Sequence, residues 1–176
     1  MKDASKLTIG SIIVAVVIGL LSCFSFIKLV VLQPEGLTPV NPTSIEINTG
    51  SLLRKTNDGE RLNLKYNQQS ISAIIARSPA KQERGLMNVT SMPSNEGMLF
   101  VFDDLKPRTF WMKSTLISLD IIYLDENLKV VNLYDHTAPN QTTVVYPSQV
   151  PAAYVLELNG GAAKTLGLSI GDSLSI

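Results

Sequence analysis

Between residues 7 and 27 the chain runs without one charged side chain, in a stretch dominated by Ile, Val and Leu. No other feature constrains the fold as tightly, because an apolar run of that length must be taken out of water. As a helix rising about 1.5 Å per residue it would span ~31 Å, the thickness of a bilayer's hydrocarbon core. Lys28 interrupts the run and residues 29–32 extend it; a lysine at that edge can reach the headgroups while its stem stays in the apolar layer. Lys2 and Lys6 precede it against one acid, Asp3. By the positive-inside tendency, residues 1–6 are expected as a cytoplasmic tip and residues 7–32 as a single transmembrane anchor in the cell membrane, with the rest on the extracytoplasmic side. Two alternatives share the segment. A cleaved signal peptide has a shorter apolar region, about 7–15 residues, and an A-x-A-like exit; the nearby alanines are Ala4 and Ala15 only. A lipoprotein would be acylated on Cys23 behind Leu20-Leu21-Ser22, but residues 24–32 stay apolar where a tether would turn polar. The uncleaved anchor accounts for the whole length, with Cys23 a small hydrophobe inside it.

Residues 33–44 read QPEGLTPVNPTS, and three prolines there exclude a helix or an interior strand. The stretch is expected to be a semi-extended linker ahead of a domain at 45–176. The chain carries 15 Lys+Arg and 15 Asp+Glu, so it lacks the basic surface a nucleic-acid partner needs, and none is expected. Its one cysteine excludes an intramolecular disulfide or a multi-cysteine zinc site.

Within the domain the pattern is mostly strand. Leu62, Leu64 and Tyr66 alternate with polar residues, and Asn67-Gln68-Gln69 turns the chain into an apolar run at 71–76. Ser78-Pro79 opens a short helix, with a capping hydroxyl and a proline at the first helical position, and Gly85 or Asn88 ends it. GMLFVF at 97–102 is apolar on both faces, which predicts a central strand. RTFWMK at 108–113, the runs at 119–124 and 128–134 around Asp125-Glu126-Asn127, and stretches at 142–146 and 154–158 predict further strands. Residues 161–166 allow a helical turn, and the chain closes through Gly171-Asp172 into a last short strand. The expected fold class is mainly β, α+β by strict count: a compact sandwich or partial barrel with one or two short helices.

Few residues suggest chemistry. His136 is the single histidine, in Asp135-His136-Thr137-Ala138-Pro139. Gly167-Leu168-Ser169-Ile170-Gly171 has the spacing of a nucleophile elbow, but it lies too close to the carboxyl end for a helix to follow, and the histidine precedes it. Asn159-Gly160-Gly161 lacks the glycine spacing of a phosphate or dinucleotide loop. Met87, Met92, Met98 and Met112 could offer thioethers to Cu(I), yet Met98 and Met112 sit in apolar strands, where methionine fills core gaps. No metal site and no cofactor are expected. The informative residues are charges in apolar settings. Asp120 shares a strand face with Ile122 and Leu124, and Glu157 lies between Leu156 and Leu158; a carboxylate so placed needs a cationic or hydrogen-bonding partner. Arg84 and Lys113 are the candidate cations, with Arg84 expected to pair with Asp120. Alternation places Trp111 and Lys113 on one face of their strand, Phe110 and Met112 on the other. If the latter face is core, Trp111, Lys113 and Arg108 line a surface, an aromatic platform beside basic groups that suits a sugar or an anion.

Five blocks occur in order: Arg84-Gly85-Leu86-Met87, Gly97-Met98-Leu99-Phe100-Val101-Phe102, Phe110-Trp111-Met112-Lys113 followed by Thr115, Leu119-Asp120-Ile121-Ile122 and Tyr154-Val155-Leu156-Glu157; Gly167, Gly171 and Asp172 close the chain. Over residues 62–176 this pattern resembles the bacterial and archaeal family called domain of unknown function 192. The resemblance implies a jelly-roll-like β domain, often behind an export signal, and no activity. Ser114 stands where the family pattern has Asn, and Ser118 where it has Pro; a site built on that Asn amide would recognise something smaller or more weakly here. The reading is therefore a membrane-anchored extracytoplasmic module that binds a small-molecule or protein partner through Arg84, Trp111, Lys113, Asp120 and Glu157. Its rivals are a hydrolase using Asp120 and Glu157 as acid and base, and a structural module of an envelope complex.

Overall fold

The computed structural model describes residues 49–176; the expected tip, anchor and linker lie outside them. Among the described residues no helix is long and apolar enough to cross a membrane. Eight strands and three short helices follow in order: α1 (Thr49–Leu53), β1 (Arg61–Tyr66), β2 (Gln69–Ala76), α2 (Pro79–Arg84), β3 (Glu96–Lys106), β4 (Thr109–Trp111), β5 (Leu119–Leu124), β6 (Val130–Thr137), β7 (Val145–Pro147), β8 (Ala152–Asn159) and α3 (Ala162–Leu166). Six strands form one mixed sheet in the order β1-β2-β3-β8-β5-β6, and β4 pairs with β7 as a separate ribbon. Among the described residues there is no closed barrel, and the second layer expected of a sandwich is reduced to that two-stranded ribbon. The β2–β3 pair is parallel and every other pair is antiparallel, because the chain crosses between β2 and β3 through α2 instead of turning back as a hairpin.

The strands without polar alternation occupy the middle of the sheet. Every residue of β5 is buried, as are all of β8 but the last and residues 97–101 of β3. Each therefore feeds two cores. One face gathers Leu64, Ile75, Leu99, Ile122, Leu156 and Leu158 beneath α1, α3 and the carboxyl-terminal Leu168 and Leu174. The other gathers Met98, Phe100, Ile121, Tyr123 and Val155 with Leu86 and Met112. Met98 and Met112 thus pack in the core.

The ribbon lies against this second face, held by an edge-to-face aromatic chain. Phe100 meets Phe110 at 4.8 Å, Phe110 meets Tyr123 at 5.9 Å, Tyr123 meets Tyr134 at 6.3 Å and Tyr134 meets Tyr146 at 5.2 Å between centroids. Such pairs contribute roughly 0.5–1.5 kcal/mol each beyond area burial. The Tyr123 hydroxyl donates to the Tyr146 carbonyl and the Tyr134 hydroxyl to that of Pro147.

Helix α2 forms as its sequence dictates. The Ser78 hydroxyl accepts from the Lys81 N–H, Pro79 takes the first helical position, and Gly85 closes the helix at φ +48°, a backbone region a side chain disfavours. A Cβ on Gly85 would also lie 3.4 Å from the Phe100 ring. The expected strand at 108–113 is shorter than its alternation suggests. It stops at Trp111, the Thr115 N–H turns back to the Met112 carbonyl, and Ser114 adopts φ +54°.

Candidate functional site

A cavity of about 420 Å³ opens where α2 and the ribbon meet the second face of the sheet; Arg84, Phe100, Phe110, Trp111, Thr115 and Glu157 are among its walls. That volume falls within the range of small-molecule sites, roughly 300–1,000 Å³. Each wall has a sequence cause. Arg84 ends α2, which Gly85 stops beside Phe100. Trp111 and Phe110 alternate on β4, leaving Trp111 half exposed while Phe110 turns inward. Glu157 is supplied by the central strand β8, opposite Met98 on one side and Ile121 on the other.

Glu157 is the unusual member. It is 4% exposed, its carboxyl makes no hydrogen bond or ion pair with the described residues, and its Oε2 is fully buried without a partner. Burial pushes its carboxyl up to about 8, so near neutral pH the acid form predominates. A protonated carboxyl can donate one hydrogen bond and accept others, and nothing nearby uses either capacity. Two guanidinium groups border the same cavity and differ in how they are held. Arg108 lies 3.9 Å from the centre of the Phe102 ring and donates to the Ala152 and Asp104 carbonyls and to the Asp104 carboxylate. Lys106 and then Arg108 hold that carboxyl down at about 2. Arg84 is exposed, and its guanidinium forms no hydrogen bond or ion pair with the described residues.

Asp120 does not pair with Arg84. Along β5 it faces the first core with Ile122, opposite Leu158, whereas Arg84 and Glu157 belong to the second face. Asp120 is fully buried, and backbone donors satisfy it: the N–H groups of His136 (2.9 Å) and Gly161 (2.8 Å) reach Oδ1, and that of Ala163 (2.8 Å) reaches Oδ2. The carboxylate therefore clasps β6 to the start of α3. Gly161 permits this, at φ +86°, where a Cβ would come 2.6 Å from the His136 ring. The one-residue offset between Asp120 and Glu157 sends their carboxyls to opposite sides of the sheet, so they cannot act together on one substrate. Lys113 follows the end of β4 into the turn at Ser114, is exposed, and does not border the cavity.

Of the five residues singled out from sequence, then, Arg84, Trp111 and Glu157 share one cavity, and Lys113 and Asp120 do not. Arg108, Thr115 and the Phe100–Phe110 wall complete it. Thr115 and both phenylalanines sit in the quoted sequence blocks, but only the docking of the ribbon turns them toward one space. The Ser114 departure has a backbone meaning: a left-handed φ suits Asn better than Ser, and the Ser114 carbonyl accepts from the Asn88 N–H at 2.8 Å. Ser118 uses its hydroxyl to donate to the Thr137 carbonyl, a bond a proline would forgo.

A second cavity, about 560 Å³, lies beside α3 and includes His136, Gly161 and Lys164. Asp120, Asp135 and His136 bring one possible ligand atom each within 4.8 Å there. Both Asp120 oxygens already accept N–H groups, and the His136 Nδ1 pairs with Asp135 at 2.5 Å. A cation would have to displace these bonds.

The same architecture occurs in solved structures. A candidate transcription regulator from Sinorhizobium meliloti 1021 is 30% identical with a TM-score of 0.64, covering 68% of this chain and 96% of its own. A protein of unknown function from Novosphingobium aromaticivorans DSM 12444 is 32% identical with a TM-score of 0.62, covering 66% and 85% respectively. No curated protein sequence matches the chain. The sequence profile of domain of unknown function 192, described as an uncharacterized ACR, matches residues 62–176, which spans β1 to the carboxyl end and includes every wall of the cavity, and the chain belongs to that family.

Proposed function

We propose that this chain is a membrane-anchored, extracytoplasmic ligand-binding module whose site is the cavity of Arg84, Trp111 and Glu157. One observation carries the reading: Glu157, whose buried carboxyl has an oxygen without a partner, borders an open cavity. An unsatisfied polar group of this kind costs about 1–3 kcal/mol, more when charged, and a bound molecule that hydrogen-bonds to it would recover that cost. The half-exposed Trp111 ring and the free Arg84 guanidinium supply a stacking surface and a charge at the mouth. A two-carboxylate hydrolase is the weaker reading, since Asp120 and Glu157 face opposite sides of the sheet. The regulatory description of the Sinorhizobium relative does not transfer readily, because residues 49–176 balance 12 Lys+Arg against 12 Asp+Glu and offer no basic excess for DNA.

The test is a thermal-shift screen of the full chain in detergent against sugars, nucleotides and organic acids, run beside Thr109→Trp. Thr109 is an exposed wall residue, so its enlargement fills the cavity with little effect on the core. A true ligand raises the wild-type midpoint and not the variant's. Equal shifts in both proteins would place binding elsewhere. The membrane part of the reading rests on the charge-free run at residues 7–27 and is checked by amino-terminal sequencing of the mature protein, where a start near residue 24 or later would contradict it.

A further inference from the structure

We propose that the ligand of this cavity is a small organic anion, bearing a negative group at one end for Arg84 and a carbonyl or hydroxyl oxygen at the other that accepts a hydrogen bond from Glu157. This rests on the cavity being a binding site and goes further by naming the chemistry at each end.

The mouth sets the charge. Glu83, Arg84, Arg108 and Glu157 are the ionisable acids and cations among the walls. Arg108 is committed to Asp104 and two carbonyls, and Arg84 is committed to nothing among the described residues. A planar guanidinium with all its donors free is the geometry that grips a carboxylate or phosphate at two points. A cationic ligand would instead enter past two arginines, against one exposed acid at Glu83.

The inner end sets the acceptor. Glu157 carries its proton near neutral pH, and the ionised form would be a second unpaired charge in an apolar wall. Met98 and Ile121 flank it in the neighbouring strands and bring no cation. The nearby Tyr123 hydroxyl is spent on the Tyr146 carbonyl, and burial pushes it above the usual tyrosine range, so it does not titrate where Glu157 does. The O–H of Glu157 is the free donor on this side, and an oxygen acceptor on the ligand satisfies it. Between the two ends, Trp111 and the Phe100–Phe110 wall favour a flat, apolar body.

The experiment uses the full chain in detergent with methyl-labelled methionine, because Met87 borders the cavity and reports binding locally. The probes are 4-acetylbenzoate, its uncharged amide 4-acetylbenzamide, and the cation 4-acetylbenzylamine, each at millimolar concentration. Expected is a Met87 methyl shift with 4-acetylbenzoate, at least tenfold weaker binding of the amide, and none of the amine. Arg84→Met should weaken the benzoate about tenfold and leave the amide unchanged. Benzoate affinity should fall about tenfold per pH unit above pH 8, as the Glu157 donor is lost, and Glu157→Gln, whose amide still donates, should bind without that dependence. Amide or amine binding as tight as the benzoate, or affinity that rises above pH 8, would overturn the proposal while leaving the cavity a binding site. Silence from all three probes would overturn this ligand class, and the screen against Thr109→Trp would then decide the cavity's role separately.

Discussion

Asp120→Asn tests how much of the hold on a buried carboxyl comes from its three backbone donors, beside the neighbouring Asp135 carboxyl. The wild-type oxygens accept three N–H groups, two on Oδ1 from His136 and Gly161 and one on Oδ2 from Ala163. Asparagine retains one oxygen. Its better orientation keeps that oxygen where Oδ1 stood and turns the NH₂ toward the Ala163 N–H, donor against donor. The loss is then one hydrogen bond to a charged group, roughly 1.5–3 kcal/mol, plus a stranded buried N–H at roughly 1–3 kcal/mol. A destabilisation of about 4 kcal/mol is expected, a large share of the 5–15 kcal/mol typical of a domain. Urea unfolding of the full chain, followed by fluorescence of the single tryptophan, Trp111, measures it. Amide exchange gives the local signature, with the N–H groups of Gly161 and Ala163 losing protection first. A loss below 1 kcal/mol would refute the clasp, and an equal loss in Arg84→Met would restore the ion pair that the structure replaces.

Glu157 should make stability fall with pH. Below pH 4.5 both states hold the proton; above it the unfolded chain ionises while the native state keeps the acid form until about pH 8. Stability therefore drops by about 1.4 kcal/mol per pH unit across that window, on the order of 4–5 kcal/mol in all, then levels off, and denaturant melts of Glu157→Gln should lack this component. Arg84→Met should leave stability within about 0.5 kcal/mol of wild type, whereas Arg108→Met, which gives up the Asp104 and Ala152 bonds and the Phe102 contact, should cost about 1–2 kcal/mol by the same melts. Ser114→Asn should raise stability by up to about 1 kcal/mol, because Asn tolerates the left-handed φ of +54° there; a lower thermal midpoint would contradict that account.

What the sequence makes legible follows from how far each signal reaches along the chain. Alternation is local, so RTFWMK correctly places Phe110 and Met112 inward and Trp111 outward, and Ser78-Pro79 correctly opens α2. The continuous apolar run at 97–102 correctly marks β3 as central; β5 and β8, expected only as strands, prove to be buried beside it. Pairing and register are not local. Asp120 stands opposite Leu158 and not Glu157, and that single offset separates the two carboxyls across the sheet. The need of Asp120 for a partner is visible in its apolar neighbours, but the partners are main-chain N–H groups, which every residue except proline carries and no letter announces. The search for a cation therefore leads to Arg84, which belongs to the other face. Lys113 lies away from the cavity for a related reason: alternation assumes the strand continues, but it stops at Trp111, and the positive φ at Ser114 in the turn that follows leaves no mark in a serine. Six of the strands form a single sheet whose parallel β2–β3 step runs through α2. Strand-by-strand patterning does not separate that arrangement from a sandwich.

The account depends most on Glu157 being a buried acid with no partner, facing a cavity that something else fills. Carboxyl carbon NMR of the full chain, labelled at glutamate side chains and assigned through Glu157→Gln, reads its titration directly. The structure predicts a midpoint at about pH 8, raised further by a bound anion that accepts a hydrogen bond from the acid form. A midpoint near the ordinary 4.5 would mean that water or a neighbouring cation already satisfies the carboxylate, and the cavity would lose its claim to be the site.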